Sequence, residues 1–139
     1  MTIKEVEQQI IDEFSVFTDW LDKYEYLIEL GKSLPLIDEK RKTDENLIIG
    51  CQSKVWLAAD YVAGKIYFTA DSDAIITKGI ISLLIRVFSG RTPKEILDAD
   101  LNFIKEIGLQ DNLSPTRSNG LVSMIKQIKL YALAFSANK

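Results

Sequence analysis

Apolar residues recur at helical spacing near both ends of the chain and at alternate positions in its middle. Two of the helical stretches begin with the pattern of a capping box, formed by Thr2 with Glu5 and by Thr92 with Glu95. Gly31 supplies a stop for the second stretch. The predicted helices cover residues 3–15, 19–31, 73–88, 92–98 and 101–107, and a last helix begins at residues 114–115.

Alternation of apolar and polar residues in the middle of the chain predicts a β-hairpin. Apolar side chains share one face of residues 54–62 and one face of residues 65–70. Ala63 and Gly64 between these segments fit a tight hairpin turn. A short apolar run at residues 47–49 predicts a further strand.

These elements indicate an α+β fold. Strands clustered between helical runs are typical of a small antiparallel sheet, here of about three strands, with helices packed on one face. The helix over residues 73–88 is apolar almost all round, so we expect it to be buried, and Gly79 inside it indicates close packing on a neighbour. Residues 32–46 are polar without a period and are predicted to be a loop. No linker-like stretch divides the chain, so residues 1–139 are predicted to form a single domain.

Composition removes several classes of chemistry. The chain has 139 residues and a net charge of −3, which argues against a nucleic-acid binder. It contains no histidine, and this excludes a Ser-His-Asp triad and a histidine-ligated metal site. The single cysteine, Cys51, excludes an intrachain disulfide and a multi-cysteine metal or iron–sulfur site. We therefore expect neither a metal nor a resident cofactor.

The sequence carries no convincing membrane span, because polar residues interrupt the most apolar stretch, residues 75–88. The N-terminus lacks the basic and apolar regions of a secretory signal. We therefore expect a protein without a membrane segment in a reduced cytoplasmic compartment.

Cys51 is the first candidate for chemistry. A free cysteine often behaves as a small buried hydrophobe and is then inert. Here the surrounding residues, Gly50, Gln52 and Ser53, form a polar turn that begins with glycine, and functional residues concentrate on such turns. Lys54 is near enough in sequence to favour a thiolate. The residues alone leave both interpretations open.

Two other segments carry charged side chains that could bind a ligand. The carboxylates of Asp71 and Asp73 could hold a metal, although capping of the following helix accounts for them better. Residues 114–120 have the pattern of a helix start. Arg117 within them could instead orient an anion or a partner's carboxylate. Nothing local decides between these two roles for Arg117.

Three sequence blocks resemble signatures of the SufE family. They are GCQSKVW at residues 50–56, DSDAIITKG at residues 71–79 and LSPTRSNGL at residues 113–121. The earlier stretch at residues 24–34, which contains IELG at residues 28–31, also fits, and the blocks follow one another in the family's order. The family's fold is α+β and is shared with IscU-type scaffolds. A scaffold that holds a cluster is disfavoured here because the chain has too few ligands.

The resemblance implies a sulfur-transfer protein of iron–sulfur cluster assembly rather than an enzyme. In the family, a pyridoxal-phosphate cysteine desulfurase of the SufS or CsdA type forms a persulfide, and the SufE cysteine accepts its sulfur. The acceptor also raises desulfurase turnover and passes sulfur to a SufBCD-type scaffold. The match makes Cys51 the acceptor, while Lys54 departs from a glutamine common at its position. The other matching positions lie in the cysteine loop or are expected near it or at the partner surface: Gly50, Gln52, Ser53, Asp73 and Arg117.

The sequence leads to one further expectation about Cys51 and leaves two rival functions. We expect Cys51 to be tucked against apolar neighbours in the free protein and its loop to swing out when the desulfurase binds. A thiol-dependent hydrolase is a rival function, but it lacks a histidine base. An interaction module with an inert Cys51 is the other rival. Whether the chain is a monomer or a homodimer stays open.

Overall fold

Seven helices and one β-hairpin form the fold in the computed structural model, which describes residues 1–137. Two short 3₁₀ turns, Glu39–Arg41 and Asp44–Asn46, lie in the segment predicted to be a loop. A one-turn helix at residues 109–112 was not predicted. In chain order the elements are α1 (Ile3–Ser15), α2 (Trp20–Gly31), β1 (Val55–Val62), β2 (Lys65–Ser72), α3 (Ile75–Phe88), α4 (Pro93–Asp98), α5 (Asn102–Glu106), α6 (Leu109–Asn112) and α7 (Pro115–Ala137).

The hairpin forms as the sequence predicts. Strands β1 and β2 pair antiparallel, from Val55 opposite Ser72 to Val62 opposite Lys65. Ala63 and Gly64 connect them with φ angles of 52° and 82°. Two successive positive φ angles give the turn a twist that matches the twist of the strands. Small residues occupy this turn because large side chains disfavour positive φ angles.

Helix α3 forms the centre of the core and crosses α2 at very short range. Ten of its residues are buried, and it packs against both α2 and β2. A Cβ atom on Gly79 would lie 2.2 Å from the carbonyl oxygen of Leu27 in α2, and one on Gly31 would lie 2.9 Å from the backbone nitrogen of Gly79. The close packing expected from Gly79 is therefore confirmed.

Helix α7 packs on the inner face of the hairpin. The ring of Tyr131 lies 6.3 Å from that of Phe68 in β2, and its hydroxyl donates a hydrogen bond to the Leu57 carbonyl in β1 at 3.3 Å. Farther along, Phe135 stacks on Tyr61 at 5.0 Å. Helix α7 therefore covers one face of the sheet, in agreement with the predicted α+β architecture.

The outer edge of β2 is hydrogen-bonded to two loops. Ala70 donates to the Pro35 carbonyl and accepts from the Ile37 N–H, both at 3.0 Å. Ile66 donates to the Arg91 carbonyl at 2.8 Å. These bonds leave the strand few free backbone groups along this edge.

The predicted third strand is wrong as a strand. Residues 47–49 make a single bridge, Leu47 with Trp56, and one bond from the Ile48 N–H to the Val55 carbonyl at 2.8 Å. Ile49 is then 92% exposed and Gly50 turns the backbone at a φ of 99°. The chain leaves the edge of β1 at this glycine, so the sheet within residues 1–137 has two strands.

The segment before this bridge crosses the outer face of the hairpin. Lys42 pairs with Asp71 at 2.8 Å and lies 4.9 Å from the centre of the Trp56 ring. Arg41 pairs with Asp60 at 3.0 Å. These contacts fix the predicted loop against the strands.

No helix in the described part of the chain is long and apolar enough to cross a membrane.

Candidate functional site

The cysteine sits in the turn that joins the Leu47 bridge to β1. Gly50 begins this turn with a φ of 99°, which side chains disfavour. A Cβ atom at Gly50 would also lie 2.3 Å from the hydroxyl oxygen of Ser123 on α7. Glycine is therefore required twice, once for the backbone angle and once because the turn rests directly on α7.

The Cys51 thiol is half-buried and points at α7. Its S–H donates to the carbonyl oxygen of Gly120, with 3.6 Å between sulfur and oxygen. Burial raises the pKa of the Cys51 thiol above its ordinary value. Lys54 is exposed at the far end of the turn, so burial rather than a neighbouring cation sets the state of this thiol. In the free protein the Cys51 side chain packs against the hydrophobic core, as expected, and is half-buried there.

A pocket of about 380 Å³ opens beside the sulfur. The turn supplies Cys51, Gln52 and Ser53 to its wall, and the opposite wall comes from α3 and the start of α7. Thr77 on α3 is 6% exposed and lines this space. The remaining lining residues are Ile80, Ser114, Thr116, Arg117, Gly120 and Met124. The pocket has room for an additional sulfur atom on Cys51.

Arg117 makes contacts that fit both roles left open by the sequence. Its backbone N–H donates to the Ser114 hydroxyl at 3.3 Å, a bond that caps the start of α7. Arg117 also lines the Cys51 pocket, and its guanidinium donates to the hydroxyl of Tyr24 at 2.7 Å. The same guanidinium lies 5.7 Å from the centre of the Tyr24 ring. Tyr24 therefore holds a positive charge at the rim of the pocket.

Asp73 supports the cysteine turn instead of capping α3. Its carboxylate accepts a hydrogen bond from the Lys54 N–H at 3.1 Å, and its own N–H donates to the Lys54 carbonyl at 3.2 Å. Helix α3 begins at Ile75, with Ala74 at the cap position and no side-chain cap. The capping interpretation of residues 71–73 is therefore wrong, since Asp73 ties the end of the hairpin to the turn.

The alternative of a metal at this segment finds no support in the described part of the chain. No group of three or more carboxylate or thiol side chains within residues 1–137 is arranged to hold a metal ion. Asp71 is instead paired with Lys42 at 2.8 Å and Lys78 at 3.3 Å.

Four residues that complete the site were not predicted as site residues from the sequence, and all four lie on helices. Gly120 and Ser123 on α7, Thr77 on α3 and Tyr24 on α2 all come from elements far from Cys51 in sequence. Gly120 and Thr77 each belong to one of the three matched blocks, so the family resemblance was the signal that could have found them.

Comparisons with known proteins agree with this architecture. A family model described as SufE, Fe-S metabolism associated domain, matches residues 8–132. An uncharacterized SufE-like protein of Rhizobium etli is 43% identical over 127 residues, which cover 87% of this chain and 85% of the relative. A second uncharacterized SufE-like protein, from Rhizobium meliloti, is 43% identical over 126 residues, covering 87% of this chain and 90% of the relative.

A solved structure shows the same fold. The solution structure of a hypothetical protein from Thermus thermophilus superposes with a TM-score of 0.76 and 20% sequence identity. The match covers 93% of this chain and 94% of the other. Since the family model spans most of the sequence and both relatives match most of it, the chain belongs to the SufE family, whose domain is associated with iron–sulfur metabolism.

Proposed function

We propose that this protein carries sulfur on Cys51. It accepts a sulfur atom from the persulfide of a pyridoxal-phosphate cysteine desulfurase of the SufS or CsdA type, and this unloading raises desulfurase turnover. It then passes the sulfur to a SufBCD-type scaffold for cluster assembly. The observation that supports this most is the half-buried Cys51 sulfur beside a pocket of about 380 Å³, at the end of a surface turn.

The transfer step balances without an oxidant. The Cys51 thiolate attacks the terminal sulfur of the partner's persulfide, so a bond forms between Sγ and that sulfur while the partner's S–S bond breaks. The partner's cysteine leaves as a thiolate, and the new persulfide stays on Cys51. Because the chain has one cysteine, no second thiol of its own can resolve this persulfide into a disulfide.

Because burial raises the pKa of Cys51, the partner has to favour the thiolate form of this residue. A thiolate is the attacking species, yet burial favours the protonated thiol in the free protein. We infer that docking of the desulfurase lifts the turn at residues 50–53 away from α7, which hydrates the sulfur and lowers its pKa. Asp73 holds the end of this turn through the Lys54 N–H, and Arg117 offers a positive charge beside the pocket.

This protein is a sulfur carrier rather than an enzyme in this scheme. Cys51 regains its thiol when a second protein removes the sulfur, so the chain completes no catalytic cycle alone. A persulfide survives in a reducing compartment only when it is shielded, which agrees with a cytoplasmic protein whose acceptor cysteine is half-buried.

Intact-protein mass spectrometry tests the proposal. The protein is incubated with a SufS-type desulfurase and free cysteine without reductant. Wild type is expected to gain the mass of one or more sulfur atoms, which a thiol reductant removes, and Cys51→Ser is expected to gain none. No added mass on wild type, with a desulfurase shown to be active and to bind, would refute the carrier function.

The rival of an interaction module rests on the same half-burial, because an inert structural cysteine is also shielded and also has a raised pKa. Desulfurase turnover with Cys51→Ser separates the two. The carrier predicts that this variant still binds the desulfurase and no longer stimulates it. Stimulation equal to wild type would establish the interaction module.

A further inference from the structure

Glu7 on α1 is a buried carboxylate, one oxygen of which has no hydrogen-bond partner among the described residues. The residue is 6% exposed, and among residues 1–137 nothing donates a hydrogen bond to its Oε1 atom. Burial raises the pKa of the Glu7 carboxyl, and the nearby Asp100 carboxylate raises it further, while Lys4 opposes them. Buried carboxylates are normally paired, so this one indicates a missing positive partner.

Glu7 lines a second pocket, which shares no residue with the pocket beside Cys51. This pocket has a volume of about 370 Å³ and lies between the first turns of α1, the end of α4 and the linker to α5. Ile3 and Ala99 give it an apolar wall, and Asp98 and Asp100 also line it. Its size is that of a site for a small organic molecule.

The other carboxylates around this pocket are not equally available. Asp98 pairs with Lys94 at 2.8 Å. Glu95 accepts the Thr92 N–H at 3.1 Å in the capping box of α4. Asp100 accepts one long bond of 3.4 Å from the Asn102 N–H. Glu7 and Asp100 are therefore the two acids whose charge is least compensated.

We propose that this pocket binds an aliphatic amine, with its ammonium group at Glu7 and Asp100 and its carbon chain against Ile3 and Ala99. An ammonium group donates three hydrogen bonds and supplies the positive charge that would pair with the buried carboxylate. The carbon chain of the amine packs against the apolar wall, whereas a bare metal ion would leave that wall without a contact. The side chains described between residues 1 and 137 also form no group of three ligands for a metal here.

Two-dimensional amide NMR of the full chain tests the proposal, with n-butylammonium chloride as the probe. The amides of residues 3–7 and 98–102 are expected to shift in a saturable way, with a dissociation constant on the order of 1 mM. Sodium chloride at the same ionic strength and 1-butanol are the controls for charge and for the apolar stem. Shifts of the same size with either control would overturn the proposal.

Matched variants assign the effect to the pocket. Glu7→Gln keeps the side-chain shape and is expected to weaken binding about tenfold, the loss of one charge-assisted hydrogen bond. Glu25→Gln removes the same charge from an exposed position on α2 and is expected to bind as wild type does. Lys4→Gln removes a competing cation from the pocket wall and is expected to tighten binding. Equal affinity in Glu7→Gln and wild type would refute the site.

Two further probes distinguish the source of the amine. Nα-acetyl-lysine methylamide represents a lysine side chain presented by a protein, and 1,4-diaminobutane represents a free metabolite. Tighter binding of the diamine indicates a small-molecule site, whereas tighter binding of the lysine amide indicates a lysine from a partner. Failure of both, together with n-butylammonium, would overturn the proposal.

Discussion

Gly50→Ala tests how firmly the cysteine turn is held on α7. The φ angle of 99° costs an alanine about 1–3 kcal/mol. The new Cβ would meet the Ser123 hydroxyl at 2.3 Å, and pushing that side chain off its rotamer adds about 0.5–1.5 kcal/mol. The two sum to about 1.5–4.5 kcal/mol. The strain lowers the free energy of unfolding if the turn stays docked, and urea unfolding measures this loss. If the strain instead releases the turn from α7, the rate at which Cys51 is alkylated in the native protein measures the release.

The two outcomes are quantitatively linked. If the turn stays docked, urea unfolding shows the full loss of stability. If the turn is released, the alkylation rate rises instead, by about 30-fold for 2 kcal/mol of lost docking free energy. Ser123→Ala in the same background removes the clashing oxygen and is expected to recover the smaller share, and Ser123→Ala alone is the control. A loss of unfolding free energy below about 0.5 kcal/mol, with an unchanged alkylation rate, would refute the reasoning. An alanine at this positive φ angle has to lower the stability or release the turn.

Three other substitutions or conditions have expected outcomes. Gly79→Ala places a Cβ 2.2 Å from the Leu27 carbonyl oxygen, so urea unfolding should show a loss of about 3 kcal/mol, and a loss below about 1 kcal/mol would contradict the α2–α3 crossing. Because burial raises the pKa of Cys51, its alkylation rate should rise with pH at a higher midpoint in the native protein than in urea, and coincident midpoints would contradict the burial. Gly120→Ala should gain about 0.5–1 kcal/mol in unfolding free energy from helix propensity and slow alkylation, because its Cβ would stand 3.6 Å from Sγ; faster alkylation would contradict this placement.

The sequence pattern predicts the hairpin and the long helices because each of these elements carries its own signal. The turn at residues 63–64 and the capping box at Thr2 are local, and both form as expected. The third strand failed for a non-local reason. Residues 47–49 are apolar enough for a strand, but the chain must turn at Gly50 to bring Cys51 onto α7, and this ends the pairing after a single bridge.

The same division holds for the candidate site. The turn around Cys51 could be predicted from its sequence, and so could the neighbourhood of Asp73 and Arg117, through the family resemblance. The partners that hold them could not, because Gly120, Ser123 and Tyr24 reach the site only after the helices have packed together. Residue patterns report local preference, whereas these contacts depend on helix placement.

The outer edge of β2 and the first part of the outer edge of β1 are occupied by the protein's own backbone and side chains. Pro35, Ile37 and Arg91 bond the edge of β2, while Ile48 and the Tyr131 hydroxyl bond β1. Many proteins recognise a partner by adding one of its strands to an open sheet edge. A partner of this protein would first have to displace these bonds. Along these stretches a partner has to be recognised through side chains and turns, and the surface around the cysteine, next to the start of β1, is one of them.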